Sequence, residues 1–311
     1  MGFIVFFSPS EDKVISQADK DFSLSRMQIQ HQQDSKNDTI KYCQDKQIKI
    51  LNKNGYFSNA PQVDFLASLW KNRYLHGYRE QILESYLDTL RQILTKHDKI
   101  LLKEVYGAKN FTPKNEMELN LALQQNTTLQ AIERYCGVAF QALNFTSLSE
   151  ESKDFICNHV YIFSNLFGVI CARDKIPFYK LKQGAKIPYL NLAKVYEPFL
   201  PLLDDFLSQT LPNPQDFIID LRASIYTKIF TPKQQNFFFE FQKENKIVSH
   251  YSKFYRGVIL RLLSQQSQWR DSQNIDFETA LVFFSTIEHE NLRLHSITQK
   301  KTTTIVKYDI L

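Results

Sequence analysis

Near its start the chain reads Gly2-Phe3-Ile4-Val5-Phe6-Phe7-Ser8-Pro9-Ser10, and this stretch decides the fold. Phe3 to Phe7 is a short, unbroken, β-favouring apolar run, which predicts a buried strand. Ser8-Pro9-Ser10 stops it. A second run of the same kind, Phe217–Leu221 (Phe-Ile-Ile-Asp-Leu), predicts another buried strand far along the chain. Between and beyond them lie helical patterns, so the protein is expected to be α+β with a mixed sheet.

Working outward, residues 11–62 are polar with few apolar anchors and predict a long irregular excursion over the surface. Arg79–His97 carries Ile82, Leu83, Tyr86, Leu87, Leu90, Ile93 and Leu94 at helical spacing. With helices expected over Val63–Leu75 and Glu116–Gln125, residues 63–125 form a helical insertion within one domain spanning 1–311. Leu129–Ile132 and Val160–Phe163 predict strands, and Glu150–His159 a helix capped by Ser149. Helices follow over Glu197–Gln209, with Pro198 in its first turn, and Ala223–Phe230. Phe237–Gln242 and Lys246–His250 flank a turn at 243–245 and predict a hairpin. Lys253–Gln265 and Phe277–Phe284 predict helices, and Leu292–Ile297 and Thr303–Tyr308 closing strands.

With 311 residues, 43% of them hydrophobic, the chain can bury a sizeable core and does not have the composition of a disordered protein. No basic segment precedes the apolar run at Phe3–Phe7, so a signal peptide is not expected. No apolar stretch approaches the roughly 18–20 residues of a membrane helix. A cytoplasmic location is therefore expected, without a membrane partner. Cys43, Cys136, Cys157 and Cys171 lack C-x-x-C spacing and read as reduced, structural thiols.

The net charge is +5, but its distribution is uneven. Cys171–Lys194 contains Arg173, Lys175, Lys180, Lys182, Lys186 and Lys194 against Asp174 alone, a local charge of +5. Arg222–Arg261 contains Arg222, Lys228, Lys233, Lys243, Lys246, Lys253, Arg256 and Arg261 against Glu240 and Glu244, a local charge of +6. Two ordinary solvated surfaces carry charge of this kind, and so do the walls of one anion-binding cleft. On a helical wheel, Lys253, Arg256, Gly257 and Arg261 share one face of the 253–265 helix, opposite Phe254, Tyr255, Val258, Ile259, Leu262 and Leu263. Glycine inside a helix costs about 1 kcal/mol relative to alanine. At Gly257 the return is close approach, either by another helix or by a phosphate.

Five blocks in the same order and spacing resemble the YaaA family of bacterial peroxide-stress proteins. They are the strand ending in Ser8-Pro9-Ser10 with Lys13; Tyr135–Phe140 with Leu143; and Ser164–Val169 followed by Arg173-Asp174, Ile176-Pro177 and Tyr179-Lys180-Leu181. The remaining two are Ile218–Leu221 with Ser224, Tyr226 and Lys228, and Ser252–Gly257. Lys180 stands where the family pattern has Arg, and Asp220 where it has Asn.

The resemblance implies a single-domain α+β fold with a basic cleft, DNA binding, and protection against hydrogen peroxide linked to lowering free iron. It also implies a helix-hairpin-helix element, here over 255–284. Residues 265–276 contain no glycine, so side chains such as Arg270 would contact phosphate there. The expected phosphate ligands are Lys253, Arg256, Gly257, Arg261, Arg173, Lys180, Lys182 and Lys228, with Tyr255 or Tyr179 stacking on an unpaired base. Ser8, Lys13, Asp220, Ser224 and Tyr226 are further polar candidates, and for each a capping or turn role is the alternative.

No phosphate-loop, dinucleotide or zinc-protease motif is present. No cofactor, metal or catalytic step is expected, although an enzyme acting on a nucleotide or another phosphorylated small molecule is the alternative to a DNA-binding protein.

Overall fold

The computed structural model describes residues 2–21, 23, 73–107, 114–123, 127–244, 246–270 and 275–311. The strands are β1 (Phe3–Phe7), β2 (Thr128–Gln130), β3 (Val160–Ser164), β4 (Gly168–Cys171), β5 (Lys175–Pro177), β6 (Phe217–Leu221), β7 (Gln235–Lys243), β8 (Lys246–Ile247), β9 (Leu292–Lys300) and β10 (Thr303–Ile310). The main sheet runs β4-β3-β1-β6-β7-β10-β9, with β8 paired to the end of β7. β3, β1, β6, β7 and β10 are parallel; β4, β8 and β9 are antiparallel to their neighbours. β2 and β5 form a separate antiparallel pair. The fold is α+β around a mixed sheet.

Every residue of β1, β3 and β6 is buried, because both faces of the sheet are covered. On one face Phe3 meets Phe155 and Trp269, Phe7 meets Phe140, Phe237 stacks on Phe277, and Phe241 stacks on Tyr255. The partners come from α5 (Val138–Leu143), α6 (Glu150–His159), α10 (Ser249–Gln265), α11 (Ser267–Arg270) and α12 (Phe277–Ser285). On the other face Phe163 meets Tyr196 of α7 (Leu192–Tyr196) and Tyr226 of α9 (Ser224–Thr227), and Tyr161 meets Phe206 of α8 (Leu200–Thr210). Arg222 is wholly buried on this face, paired with Asp220 and lying over the rings of Phe6 and Phe163 at 4.8 and 4.3 Å.

The helical stretch consists of α1 (Arg73–Lys96), α2 (Lys99–Tyr106) and α3 (Lys114–Leu121). Ile82, Leu83, Tyr86, Leu87, Leu90 and Ile93 are buried, as their spacing predicts. Asp98 caps α2 by accepting from the Ile100 and Leu101 amides, and Gly107 ends it in a left-handed conformation (φ 75°). Residues 24–72, most of the expected surface excursion and most of the expected 63–75 helix, lie outside the described residues. So do residues 271–274.

Several boundaries differ from the sequence expectation. Only Thr128–Gln130 is strand, because the chain then turns into α4 (Ala131–Arg134), whose Ala131 and Ile132 amides donate to Asp174 and Ala172 carbonyls. The expected 197–209 helix starts later, at Leu200, after a turn that follows α7, and Pro201 rather than Pro198 occupies its first turn. The helix after β6 is one short turn. The hairpin β7–β8 forms, but its second strand is cut short as α10 begins at Ser249.

Candidate functional site

β1 and β6 run parallel in register, Phe7 beside Leu221, so their carboxyl ends open on the same edge of the sheet. The chain visits β3 on one side of β1 and β6 on the other, which makes β1 a topological switch point, the place where open parallel sheets leave a crevice. A cavity of about 140 Å³ lies there, lined by the Phe7–Asp12 loop, Gly137–Phe140 at the start of α5, Gln183, Leu221, Lys253 and Arg256. For scale, a cavity of about 150 Å³ takes one benzene-sized molecule. The cavity therefore has room for one small group, such as a single phosphate.

Arg256 is the cavity's most distinctive side chain. Its Nε is buried and has no hydrogen-bond partner. Burial pushes the guanidinium down to about 10, against the attraction of the nearby Asp220 carboxylate, so it remains charged at neutral pH. A buried N–H without a partner costs roughly 1–3 kcal/mol, which an anionic ligand would recover. Lys253, one turn earlier on α10, lines the same cavity and is exposed.

The loop wall is held by several contacts. Ser8 Oγ accepts from the Ala223 amide at 2.7 Å, tying the end of β1 to the start of α9. The Glu11 carboxylate accepts from the Gln183 amide at 2.7 Å, and Asp12 pairs with Lys180. The two acids of the loop are thereby engaged with the 180–183 segment. Gly137 lets the loop approach α5: a Cβ there would stand 2.1 Å from Ser10 Oγ.

Lys13 lies behind the loop, with 7% of its surface exposed. Its Nζ donates to the Ser10 and Glu11 carbonyls at 2.8 and 3.1 Å and sits 3.8 Å from the centre of the Tyr179 ring. Tyr179 is fully buried and its hydroxyl bonds those of Tyr135 and Ser164 at 2.7 and 2.9 Å. Burial, with repulsion from Lys180, holds the Lys13 amine well below the usual lysine range.

The residues singled out in the sequence thus separate into groups. Lys253 and Arg256 line the cavity with Ser8, while Lys13 and Lys180 stand beside its loop. Gly257 is not free for a phosphate, since α5 packs directly against it. Arg261 donates to the Leu143 and Asn144 carbonyls and to Ser147 Oγ at 2.8, 3.2 and 3.1 Å, and so closes the end of α5. Tyr255 is buried against Phe241, and Tyr179 is enclosed, so neither ring is open to a base. Lys182 lies 3.8 Å from Glu104 on α2.

Arg173 follows β4, which is antiparallel to β3, and so sits at the opposite edge of the sheet, where it donates to Asn158 Oδ1. Asp220 is held by buried Arg222, and the Tyr226 hydroxyl bonds Asn165 in the core. Ser224 and Lys228 are exposed at the two ends of α9. Gly137, Ser10 and Gln183 are cavity residues that sequence reasoning missed. The only sequence signal for Ser10 and Gly137 is that the Ser8–Ser10 and Tyr135–Phe140 blocks resemble one family's pattern; Gln183 lies in none of the five blocks.

An α+β protein with a small polar cavity at the switch point of its parallel strands, lined by Lys253 and Arg256 and by Glu11 and Asp12, is what the fold and the site define. Comparison with known families makes this particular: the model of the family described as peroxide stress protein YaaA matches residues 56–280, and the chain belongs to that family. An uncharacterized protein of Campylobacter jejuni is 36% identical over 203 residues, 65% of this chain and 77% of that protein. A UPF0246 protein of Corynebacterium glutamicum is 36% identical over 157 residues, 48% of this chain, and one of Corynebacterium efficiens is 30% identical over 156 residues. The match spans 60% of the length of each corynebacterial protein. Gly137, Gln183, Lys253 and Arg256 fall inside the family match; the Ser8–Asp12 loop precedes it.

No helix among the described residues is long and apolar enough to cross a membrane. Among the described residues no cluster of His, Cys, Asp or Glu has the geometry of a metal site.

Proposed function

We propose that this chain acts in the bacterial response to hydrogen peroxide as a cytoplasmic DNA-binding protein that seats a backbone phosphate in the cavity between the Ser8–Asp12 loop and α10. The observation that carries this is Arg256, charged, with its Nε buried and unpartnered in the cavity wall. A duplex is far too large to enter, so it would lie across the mouth with Lys253 on a neighbouring phosphate. Contacts of this kind fix position and carry little sequence information.

Filter binding of single-stranded, duplex and bulged DNA across a salt series tests the proposal. Wild-type affinity should fall steeply with salt. The double variant Arg256→Ala, Lys253→Ala should bind more weakly, with a slope shallower by about 0.9 for each phosphate it no longer neutralises. Equal affinity and slope in the two proteins would sink it. In cells, a strain lacking the protein should be sensitised to peroxide, and the double variant should fail to restore resistance. A parallel measurement of free iron tests the link to iron.

A second reading, binding or turnover of a small phosphorylated molecule, is favoured by the cavity's size and its place at the switch point. A thermal-shift screen with nucleotides and sugar phosphates separates the two, since this reading requires stabilisation by one of them.

A further inference from the structure

We infer that Lys13 is the positioning residue of the cavity: it gathers the loop carbonyls behind the wall so that the Glu11 amide and the Ser10 hydroxyl face a tetrahedral oxyanion. This rests on the phosphate-binding reading and adds the residue that shapes the site. Lys13 does not line the cavity; it acts through Ser10, Glu11 and Asp12, which do.

Lys13 Nζ donates to the Ser10 carbonyl at 2.8 Å and to the Glu11 carbonyl at 3.1 Å. Peptide units are planar and trans, and none among the described residues is cis, so each carbonyl directed at Lys13 sends the next N–H the opposite way. These are the N–H groups of Glu11 and Asp12. The Asp12 amide is taken by Ser10 Oγ at 3.1 Å, on the side of the loop that faces Gly137 and the cavity, which leaves the Glu11 amide and the Ser10 hydroxyl proton as the loop's donors to an anion. Arg256 faces them across the cavity with an unpartnered Nε, and the Lys13 amine stands behind them.

The Tyr179 ring covers one side of the Lys13 amine at 3.8 Å and Tyr135 another at 5.2 Å. Lys180 repels the proton, while Glu11, Asp12 and Cys136 favour it less strongly than burial opposes it. An oxyanion on the far side of the loop favours the protonated amine, so anion binding and protonation of Lys13 support each other.

Sulfate is the probe, because it does not titrate in the range used. Its affinity and the protons exchanged on binding are measured by calorimetry in buffers of different ionisation enthalpy, between about pH 6 and pH 8.5, below the range in which Arg256 loses its proton. Wild-type protein should bind sulfate more weakly as pH rises, taking up protons as it does so. Lys13→Met should bind about tenfold more weakly or worse, with that proton uptake abolished. Lys180→Met should retain the uptake, displaced to higher pH because Lys180 no longer repels the Lys13 proton, while its loss in Lys13→Met assigns the titration to Lys13.

A purely structural role for Lys13 would lower the melting temperature without removing the uptake. Should Lys13→Met fail to fold, the wild-type measurement still decides. The inference is overturned if wild type binds no sulfate, if it binds sulfate without pH dependence or proton uptake, or if folded Lys13→Met behaves as wild type. Lys13-dependent sulfate binding without DNA binding would remove the DNA reading and leave this one standing. DNA binding without sulfate binding would do the reverse.

Discussion

Gly257 of α10 lies directly against Ala139 of α5: a Cβ on Gly257 would stand 2.0 Å from the Ala139 carbonyl oxygen and 3.0 Å from the Ala142 Cβ. The obstruction is backbone and cannot rotate away. Gly257→Ala should therefore force the two helices apart. Overpacking of this kind costs about 1–3 kcal/mol, which far exceeds the gain in helix propensity. Urea unfolding should show a lower midpoint. A neutral or stabilising result would mean the helices are not in contact here.

Arg256 and Arg261 lie on the same helix with opposite expected behaviour. Arg256→Ala removes a cation whose buried Nε has no hydrogen-bond partner, so anion affinity should fall by about tenfold or more while stability changes little. Arg261→Ala takes away the side-chain donor to the Leu143 carbonyl at the end of α5, while Asn144 keeps its bonds from Ser147, and should cost about 1 kcal/mol of stability without changing the salt dependence of DNA binding. Paired melting and binding measurements on the two variants check the contrast.

Arg134 and Asp19 form an ion pair whose side chains are both fully buried, with Asp19 also accepting from Thr127 and Ser16. Burial alone would raise the Asp19 carboxyl, but these hydrogen bonds overcome it and hold the group below the usual aspartate range. A carboxyl with a depressed folded pKa adds stability that is fully present above the unfolded value, near 3.9, and is lost as pH falls through the folded value. Asp19→Asn should cost about 3 kcal/mol at neutral pH and flatten the loss of stability on acidification. Urea midpoints at neutral and acid pH measure both.

Gly137→Ala tests the cavity without touching a charge. The added methyl would meet Ser10 Oγ at 2.1 Å and Ser10 Cβ at 3.0 Å. The serine can rotate, so the stability cost should be small, about 1 kcal/mol, while the loop shifts and anion affinity falls. Unchanged sulfate affinity would place the anion elsewhere.

Much of the architecture was written locally. The runs Phe3–Phe7 and Phe217–Leu221 could only be buried strands, and Ile82 to Ile93 only a buried helix face. Thr128–Gln130 was harder, because its end is decided by hydrogen bonds from Ala131 and Ile132 to residues about 40 positions away. The charge pattern misled in part. Arg173 and Lys253 belong to the two basic segments, yet the antiparallel return of β4 carries Arg173 to the far edge of the sheet.

The sequence by itself determined the α+β class, most of the elements and the helical face bearing Lys253, Arg256 and Gly257, because spacing and apolar pattern are local properties of the chain. Only the tertiary structure decided what that face does. Which neighbour reaches Gly257, which arginine has spent its hydrogen bonds, and that Phe3–Phe7 lies between β3 and β6 with Lys13 buried behind its loop all depend on contacts between distant residues. The same strand that opens the chain therefore ends in the wall of the candidate site, a consequence of strand order that its own residues do not encode.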